Sequence, residues 1–119
     1  MTRTNKRKIG DLGEDITVKY LRKKGYQILD RNFLKSFGEI DIIAIKEGVI
    51  SFVEVKTRKN DNFKAASLDV DYYKKERIKK TAQAYIMEKD LADFLISFDI
   101  CEVYIEKKTI HYIKNAFGE

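Results

Sequence analysis

The sequence predicts a mixed α/β fold, in which a central mixed sheet is flanked by helices in the order αβββαββ. Two segments carry apolar residues at helical spacing, one at the N-terminal end and one in the second half of the chain. Five short apolar runs rich in β-branched and aromatic residues predict strands, and such a mixture packs as helices on a sheet. The 119 residues include no proline, and we find no repeat or low-complexity tract, so we expect residues 1–119 to form one domain.

The first helix is predicted within residues 5–25, "NKRKIGDLGEDITVKYLRKKG". The apolar residues that recur at helical spacing are Ile9, Leu12, Ile16 and Tyr20, with Leu21 beside them. Gly25 follows three basic residues and is a natural C-terminal stop for this helix. The next four residues, "YQIL", form a short apolar run that predicts the first strand.

The second helix is predicted within residues 67–89, with Asp71 as its N-cap. Its core face is expected to consist of Ile78, Ala82, Tyr85 and Ile86. The runs at 94–106 and 109–117 predict two closing strands around a turn near Lys107 and Lys108. Residues 59–70 are polar, and we expect them to form a flexible loop long enough to have a function.

Two strands are predicted in the stretch "GEIDIIAIKEGVISFVEVKTR", residues 38–58, folded back at Glu47 and Gly48. A two-residue turn there fixes the register, since the numbers of every facing pair then add up to 95. This register places Asp41 opposite Glu54 and Glu39 opposite Lys56. Because side chains alternate along a strand, all four would lie on one face. That face continues with Ile43, Ile45, Ile50 and Phe52, and the other face carries Ile40, Ile42, Val53 and Val55. With two apolar faces, the hairpin is expected to be covered on both sides.

Opposed carboxylates need a physical explanation. At an effective dielectric near 20, two charges about 5 Å apart repel by about 3 kcal/mol. A divalent cation shared by Asp41 and Glu54 would remove this repulsion, and oxygen ligands without His or Cys favour Mg²⁺ or Mn²⁺. The alternative is a buried Glu39–Lys56 pair with Asp41 and Glu54 solvated at a sheet edge. A register slip of one residue would also scatter the four side chains.

Such a cation would serve phosphodiester hydrolysis, because it activates water and neutralises charge on the phosphate. Lys56 lies two residues from Glu54 on the same face and could orient the water or stabilise the transition state. Glu14 lies near Gly10 and Gly13, and glycines inside a helix usually serve close packing. A helix held close to the sheet could bring Glu14 to the cation, whereas an exposed helix carboxylate remains the alternative.

The overall charge favours a polyanionic partner. Lys and Arg number 24 against 19 Asp and Glu, a net charge of +5, which suits nucleic acid, although lysine-rich surface helices give the same balance. The single cysteine, Cys101, excludes an internal disulfide and fits a reducing compartment. The single histidine, His111, excludes most His-based zinc sites. No apolar stretch approaches 18 residues and no secretory signal is evident, so we expect a cytoplasmic protein without a membrane partner.

A basic stripe on the second helix suits a phosphate backbone. Lys75 and Lys79 lie one turn apart there, with Gln83 one turn further on. Such a stripe offers no means of reading bases, so we expect binding that depends on salt and not on sequence.

The segments "GDLGEDITVKYLRKKGYQIL", "RNF…FGEIDIIA", "FVEVKTR", "VDYYKKERIKKTAQAYI", "FDICEV" and "IHYIKNAF" together resemble the bacterial YraN family of the PD-(D/E)XK nuclease superfamily. This family is described as distantly related to archaeal Holliday-junction resolvases. The resemblance spans nearly the whole chain and implies a restriction-endonuclease-like αβββαβ core.

By this resemblance, Asp41 and Glu54 are metal ligands, Lys56 is the catalytic lysine, and Glu14 is a first-helix acid that also serves the metal. Arg58 and Lys74 match basic positions that are candidates for contacting phosphate. Related resolvases act as dimers, which implies a homodimer. Two departures, Leu34 after "RN" and Phe63-Lys64 after "VKTR", affect expected nucleic-acid contacts and leave the metal site intact.

The leading expectation is therefore a metal-dependent endonuclease that acts on DNA, including branched or structured DNA, with Mg²⁺ or Mn²⁺ as cofactor. The first alternative is a nucleic-acid-binding module that keeps the fold without catalysis. The second is a protein-interaction domain whose acids form a buried ion-pair network.

Overall fold

The computed structural model describes residues 5–59 and 71–117, with side chains from Lys8 onward. The elements are α1 (Asn5–Lys23), β1 (Gln27–Lys35), β2 (Gly38–Lys46), β3 (Val49–Arg58), α2 (Tyr72–Glu88), β4 (Leu95–Tyr104) and β5 (Thr109–Ile113). This is the predicted αβββαββ order. The predicted loop at 59–70 lies outside the described residues, apart from Lys59.

The five strands form one mixed sheet in the order β1-β2-β3-β4-β5. All neighbours are antiparallel except β3 and β4, which run parallel. A parallel pair needs a crossover connection, and α2 lies in the connection between these two strands. The helices cover opposite faces, because α2 contributes Ile78, Ala82 and Tyr85 to one core cluster and α1 contributes Val18 and Leu21 to the other. The hairpin is therefore covered on both sides, as predicted.

The start of α2 confirms the predicted cap, because the carboxylate of Asp71 accepts a hydrogen bond from the backbone N–H of Lys74 at 2.7 Å. Gly25 has a positive φ of 95° just after α1, which confirms the predicted stop. Neither helix in the described part of the chain combines the length and apolar character needed to cross a membrane.

The residues by which α1 contacts the sheet are not the full set of apolar residues at helical spacing. Gly13, Thr17 and Leu21 are buried at i, i+4 and i+8, so this line faces the sheet. Leu12, one of the apolar residues at helical spacing, is one helical step of about 100° away from Gly13 and remains 45% exposed. A Cβ atom on Gly13 would collide with the side chain of Thr57 in β3, whereas Gly10 has open space around it. Close packing therefore explains Gly13 only.

The hairpin register is correct over five pairs, from Lys46–Val49 to Ile42–Val53. Glu47 and Gly48 both have positive φ angles, 50° and 79°, as a type I′ turn requires. The ladder ends at Ile42–Val53, so the predicted pairs Asp41–Glu54 and Glu39–Lys56 are not ladder partners.

The strands part because the carboxylate of Asp41 accepts the backbone N–H of Val55 at 2.8 Å, a donor that a continuing ladder would have used. On the other side of β2, the ladder with β1 pairs Arg31 with Ile42 and Phe33 with Ile40, and Asp41 has no partner in that ladder. Ile40 consequently packs in the cluster under α2 and not beside Ile42, contrary to the predicted alternation.

Candidate functional site

Asp41 and Glu54 line a polar cavity of about 170 Å³ at the point where β2 and β3 part. The other lining residues are Gly38, Glu39, Lys74, Arg77 and Ile78. A larger cavity of about 870 Å³ lies beside the second half of α2 and includes Ile86, Met87 and Phe98 but neither of these acids. Of these two cavities, the smaller one contains the predicted acids Asp41 and Glu54 together with Lys74, and it is therefore the candidate site.

Glu54 is 9% exposed and its carboxylate is held by two ammonium groups. Its Oε1 lies 2.8 Å from Nζ of Lys74 and 3.6 Å from Nζ of Lys56. Lys56 reaches Glu54 along β3, as their spacing of two residues predicts. Lys74 comes from the first turn of α2, so the helix cap at Asp71 also positions this lysine.

The pKa of Asp41 is raised to about 7, mainly by burial and then by the negative charge of Glu54. Glu14 and Glu39 raise this pKa further, while the hydrogen bond from Val55 opposes the shift. The carboxylates therefore repel one another, as the sequence suggested, although the two strands do not pair at this point. A cation among them would relieve that repulsion.

The two lysines respond differently to their surroundings. Burial lowers the pKa of Lys56, and the neighbouring charges of Lys74 and Arg58 add to this effect against the attraction of Glu54. Burial also acts to lower the pKa of Lys74, but the hydrogen bond and charge of Glu54 outweigh it and raise this pKa. Lys74 is thus the principal counter-ion of Glu54, and Lys56 is the lysine that more readily releases its proton.

Glu14 approaches the site from α1 but is held by residues of β1. Its Oε1 accepts a hydrogen bond from Nδ2 of Asn32 at 3.1 Å and lies 3.6 Å from Nη2 of Arg31, which also binds Asp15 at 2.9 Å. Burial raises the pKa of Glu14. The sequence analysis assigns no role to Arg31 or Asn32. Asn32 has a positive φ of 51°, which the pattern of apolar residues in a strand does not indicate.

The donors around the cavity suit a hard cation, since both converging acids offer only oxygen. However, no three His, Cys, Asp or Glu side chains within residues 8–59 and 71–117 form a group that could hold a metal ion. Lys74 is bound to Glu54, and Glu14 is bound to Asn32 and Arg31. The carboxylate oxygens of Asp41 and Glu54 suit one metal ion, whereas Glu14, the third predicted ligand, is not grouped with them.

The predicted nucleic-acid contacts fall in different places. Lys74 lies in the cavity, and Lys75 is partly buried on the same helix. Nζ of Lys79 is 3.7 Å from Oε2 of Glu76 in a surface pair. Nη2 of Arg58 lies 3.7 Å from Oε2 of Glu102, a buried acid on β4 that sequence reasoning did not single out. Cys101 is fully buried, as predicted, and burial raises its pKa to about 11.

The chain matches the model of the uncharacterised protein family UPF0102 over residues 13–103. A UPF0102 protein of Caldanaerobacter subterraneus subsp. tengcongensis is 46% identical, with 98% of this chain and all of that protein covered. One from Alkaliphilus metalliredigens is 46% identical over 92% of this chain and 96% of its own length, and one from Dictyoglomus turgidum is 44% identical over 95% and 99%. The mixed sheet with two helices is compatible with a nuclease-like core. The chain therefore belongs to the UPF0102 (YraN) family.

Proposed function

We propose that this protein is an endonuclease that hydrolyses phosphodiester bonds of DNA, including branched or structured DNA, with the help of Mg²⁺ or Mn²⁺. The observation that carries the proposal is the polar cavity lined by the partly buried Asp41, the buried Glu54 and Lys74, with Lys56 in contact with Glu54. The net charge of +5 supports a nucleic-acid substrate. The fully buried Cys101 is compatible with the reducing cytoplasm.

The proposed roles follow from position and charge. Asp41 and Glu54 would hold the cation, which when bound supplies activation of water and neutralisation of phosphate charge. Lys56 adjoins Glu54, and its lowered pKa suits a group that exchanges a proton with the attacking water. Lys74, once separated from Glu54, would present its ammonium group to the phosphate. Arg58, Lys75 and Lys79 remain proposed contacts to the backbone of the nucleic acid.

The test is cleavage of four labelled DNA substrates, a four-way junction, a flap, a single strand and a duplex, with Mg²⁺ or Mn²⁺. We expect cleavage of at least one by the wild type and its loss in Asp41→Asn and Glu54→Gln. Glu106→Gln is the matched control, because Glu106 is an exposed acid beyond the end of β4. Absence of cleavage by the wild type, or cleavage by the two site variants equal to that by the wild type, would refute the proposal.

A second candidate is a nucleic-acid-binding module without catalysis. It is favoured by the contacts of Glu54 with Lys74 and of Glu14 with Asn32 and Arg31, which satisfy both acids without a metal. This candidate predicts salt-sensitive binding of DNA or RNA that Glu54→Ala does not weaken. Calorimetric titration with Mn²⁺ separates the two functions, because only the nuclease requires binding that Asp41→Asn abolishes.

A further inference from the structure

Two rows of polar side chains cross β3, β4 and β5 beside the cavity. The ladders pair Lys56 with Glu102 and Glu102 with His111, and the next row joins Arg58, Tyr104 and Thr109. Paired residues of neighbouring strands lie on the same face of a sheet. Both rows therefore continue the face of Glu54 toward the edge strand β5.

Glu102 organises these rows. It is only 1% exposed, and its carboxylate contacts three side chains. Its Oε1 lies 3.0 Å from Nδ1 of His111, and its Oε2 accepts the hydroxyl hydrogen bond of Tyr104 at 3.1 Å and lies 3.7 Å from Nη2 of Arg58. A buried carboxylate is unfavourable unless such donors surround it, so these contacts fix the positions of the Arg58 and His111 head groups.

The outer side of this cluster presents donors. A carboxylate only accepts hydrogen bonds, so Nδ1 of His111 is the donor in its contact with Glu102. Nε2 lies on the other edge of the ring, and the His111 side chain is 59% exposed, so a ligand can reach it. Nε2 of this ring donates to a ligand when both ring nitrogens carry a proton, and it is an acceptor in the neutral ring whose Nδ1 donates to Glu102. Glu102, the one acid among the six side chains of the two rows, is buried and contacts three of the others.

We propose that Arg58 and His111, positioned by Glu102, form a subsite for a phosphodiester group of the nucleic acid. This inference rests on the proposed function and extends its substrate contacts. His111 is two strands away from Lys56, or about 10 Å. This separation is too great for the phosphate attacked beside Lys56, so the subsite holds a neighbouring phosphate. Guanidinium and imidazolium groups both form charge-assisted hydrogen bonds to phosphate oxygens.

The test measures binding of fluorescent junction and duplex DNA by anisotropy in EDTA at about pH 6, where an ordinary imidazole is mostly protonated, over a series of salt concentrations. We expect His111→Ala to weaken binding about tenfold and to reduce the slope of log K against log salt by about 0.9, the value for one lost phosphate contact. Lys114→Ala is the control, because Lys114 follows β5 directly and lines a different cavity with Ser97 and Asp99. It is expected to leave affinity and slope within twofold of the wild type.

Three results would overturn the subsite. If the wild type binds and His111→Ala binds equally well, His111 makes no phosphate contact, and the proposed function stands. If His111→Ala and Lys114→Ala weaken binding equally, the effect is one of general charge, and the subsite is again refuted. If the wild type binds no DNA, the subsite is refuted, and the proposed function is decided separately by the cleavage experiment with Mg²⁺ or Mn²⁺.

Glu102 is tested as a positioning residue through His111. Glu102→Gln is expected to weaken DNA binding severalfold in the wild-type background and not to weaken it further in the His111→Ala background. A purely structural role would give additive losses in the double variant, and that result would refute the positioning role. The thermal melting of each variant shows whether it is folded at the temperature of the binding experiment.

Discussion

Nζ of Lys74 lies 2.8 Å from Oε1 of Glu54, so an ammonium group neutralises the very carboxylate that the proposed mechanism gives to a metal ion. Lys74 belongs to α2 and Glu54 to β3. Their contact joins the helix to the sheet at the cavity. A metal ion that binds Glu54 must therefore compete with Lys74 for this carboxylate.

Replacing Lys74 by Ala should strengthen Mn²⁺ binding by about tenfold or more. A charge-assisted hydrogen bond contributes about 1.5–3 kcal/mol, and the metal no longer has to break it in the variant. Isothermal titration calorimetry with Mn²⁺ measures the change. Lys75→Ala is the matched control, since Lys75 is the next lysine of α2 and has no contact with Glu54 in the structure. Unchanged or weaker binding by Lys74→Ala would show that Lys74 does not compete.

Mg²⁺ or Mn²⁺ should raise the melting temperature of the wild type by several degrees. A ligand present at 100 times its dissociation constant stabilises the folded state by about 2.7 kcal/mol if it does not bind the unfolded chain. Asp41→Asn should abolish the increase, because the variant loses one carboxylate of the pair. An interaction domain with a buried ion-pair network would instead show the same melting temperature with and without the metal.

Without metal, the wild type should lose stability between pH 5 and pH 8. The folded pKa of Asp41, about 7, exceeds its ordinary value of 3.8, so the folded state holds a proton that the unfolded state has released. Stability from this group is complete below about pH 4 and is lost as pH rises toward 7, by a few kcal/mol. Urea unfolding at pH 5 and pH 8 measures the loss. Asp41→Asn should show a smaller decrease, and an equal decrease in both proteins would contradict the assigned pKa.

Local rules account for much of the fold and for part of the site. The turn at Glu47 and Gly48 determines five facing pairs, because a two-residue turn leaves a single register. The same rule fails at Asp41, where a side chain replaces the backbone as hydrogen-bond partner of Val55. The pattern of apolar and polar residues does not indicate that a side chain, and not the backbone, accepts the hydrogen bond from Val55.

The partners of the predicted acids arise from tertiary packing and leave no signal in the spacing of residues. Lys74 reaches Glu54 across the boundary between α2 and β3, and Asn32 reaches Glu14 across the boundary between β1 and α1. The sequence predicts only that Glu102 lies in an apolar strand, because its role depends on Arg58 from one neighbouring strand and His111 from the other. Sequence reasoning found the acids, and the structure identified the groups that hold them.

Replacing Gly13 by Ala should destabilise the protein by about 1–3 kcal/mol, because the added Cβ would collide with the side chain of Thr57 and push α1 away from β3. Gly10→Ala is the matched control in the same helix. Gly10 has open space around it, so alanine there should stabilise the protein by about 0.5–1 kcal/mol through its higher helix propensity. Chemical denaturation of the three proteins measures both changes. Equal effects of the two substitutions would show that α1 does not pack on β3 at Thr57. Because Glu14 follows Gly13 directly, we also expect Gly13→Ala, and not Gly10→Ala, to alter the environment of that acid.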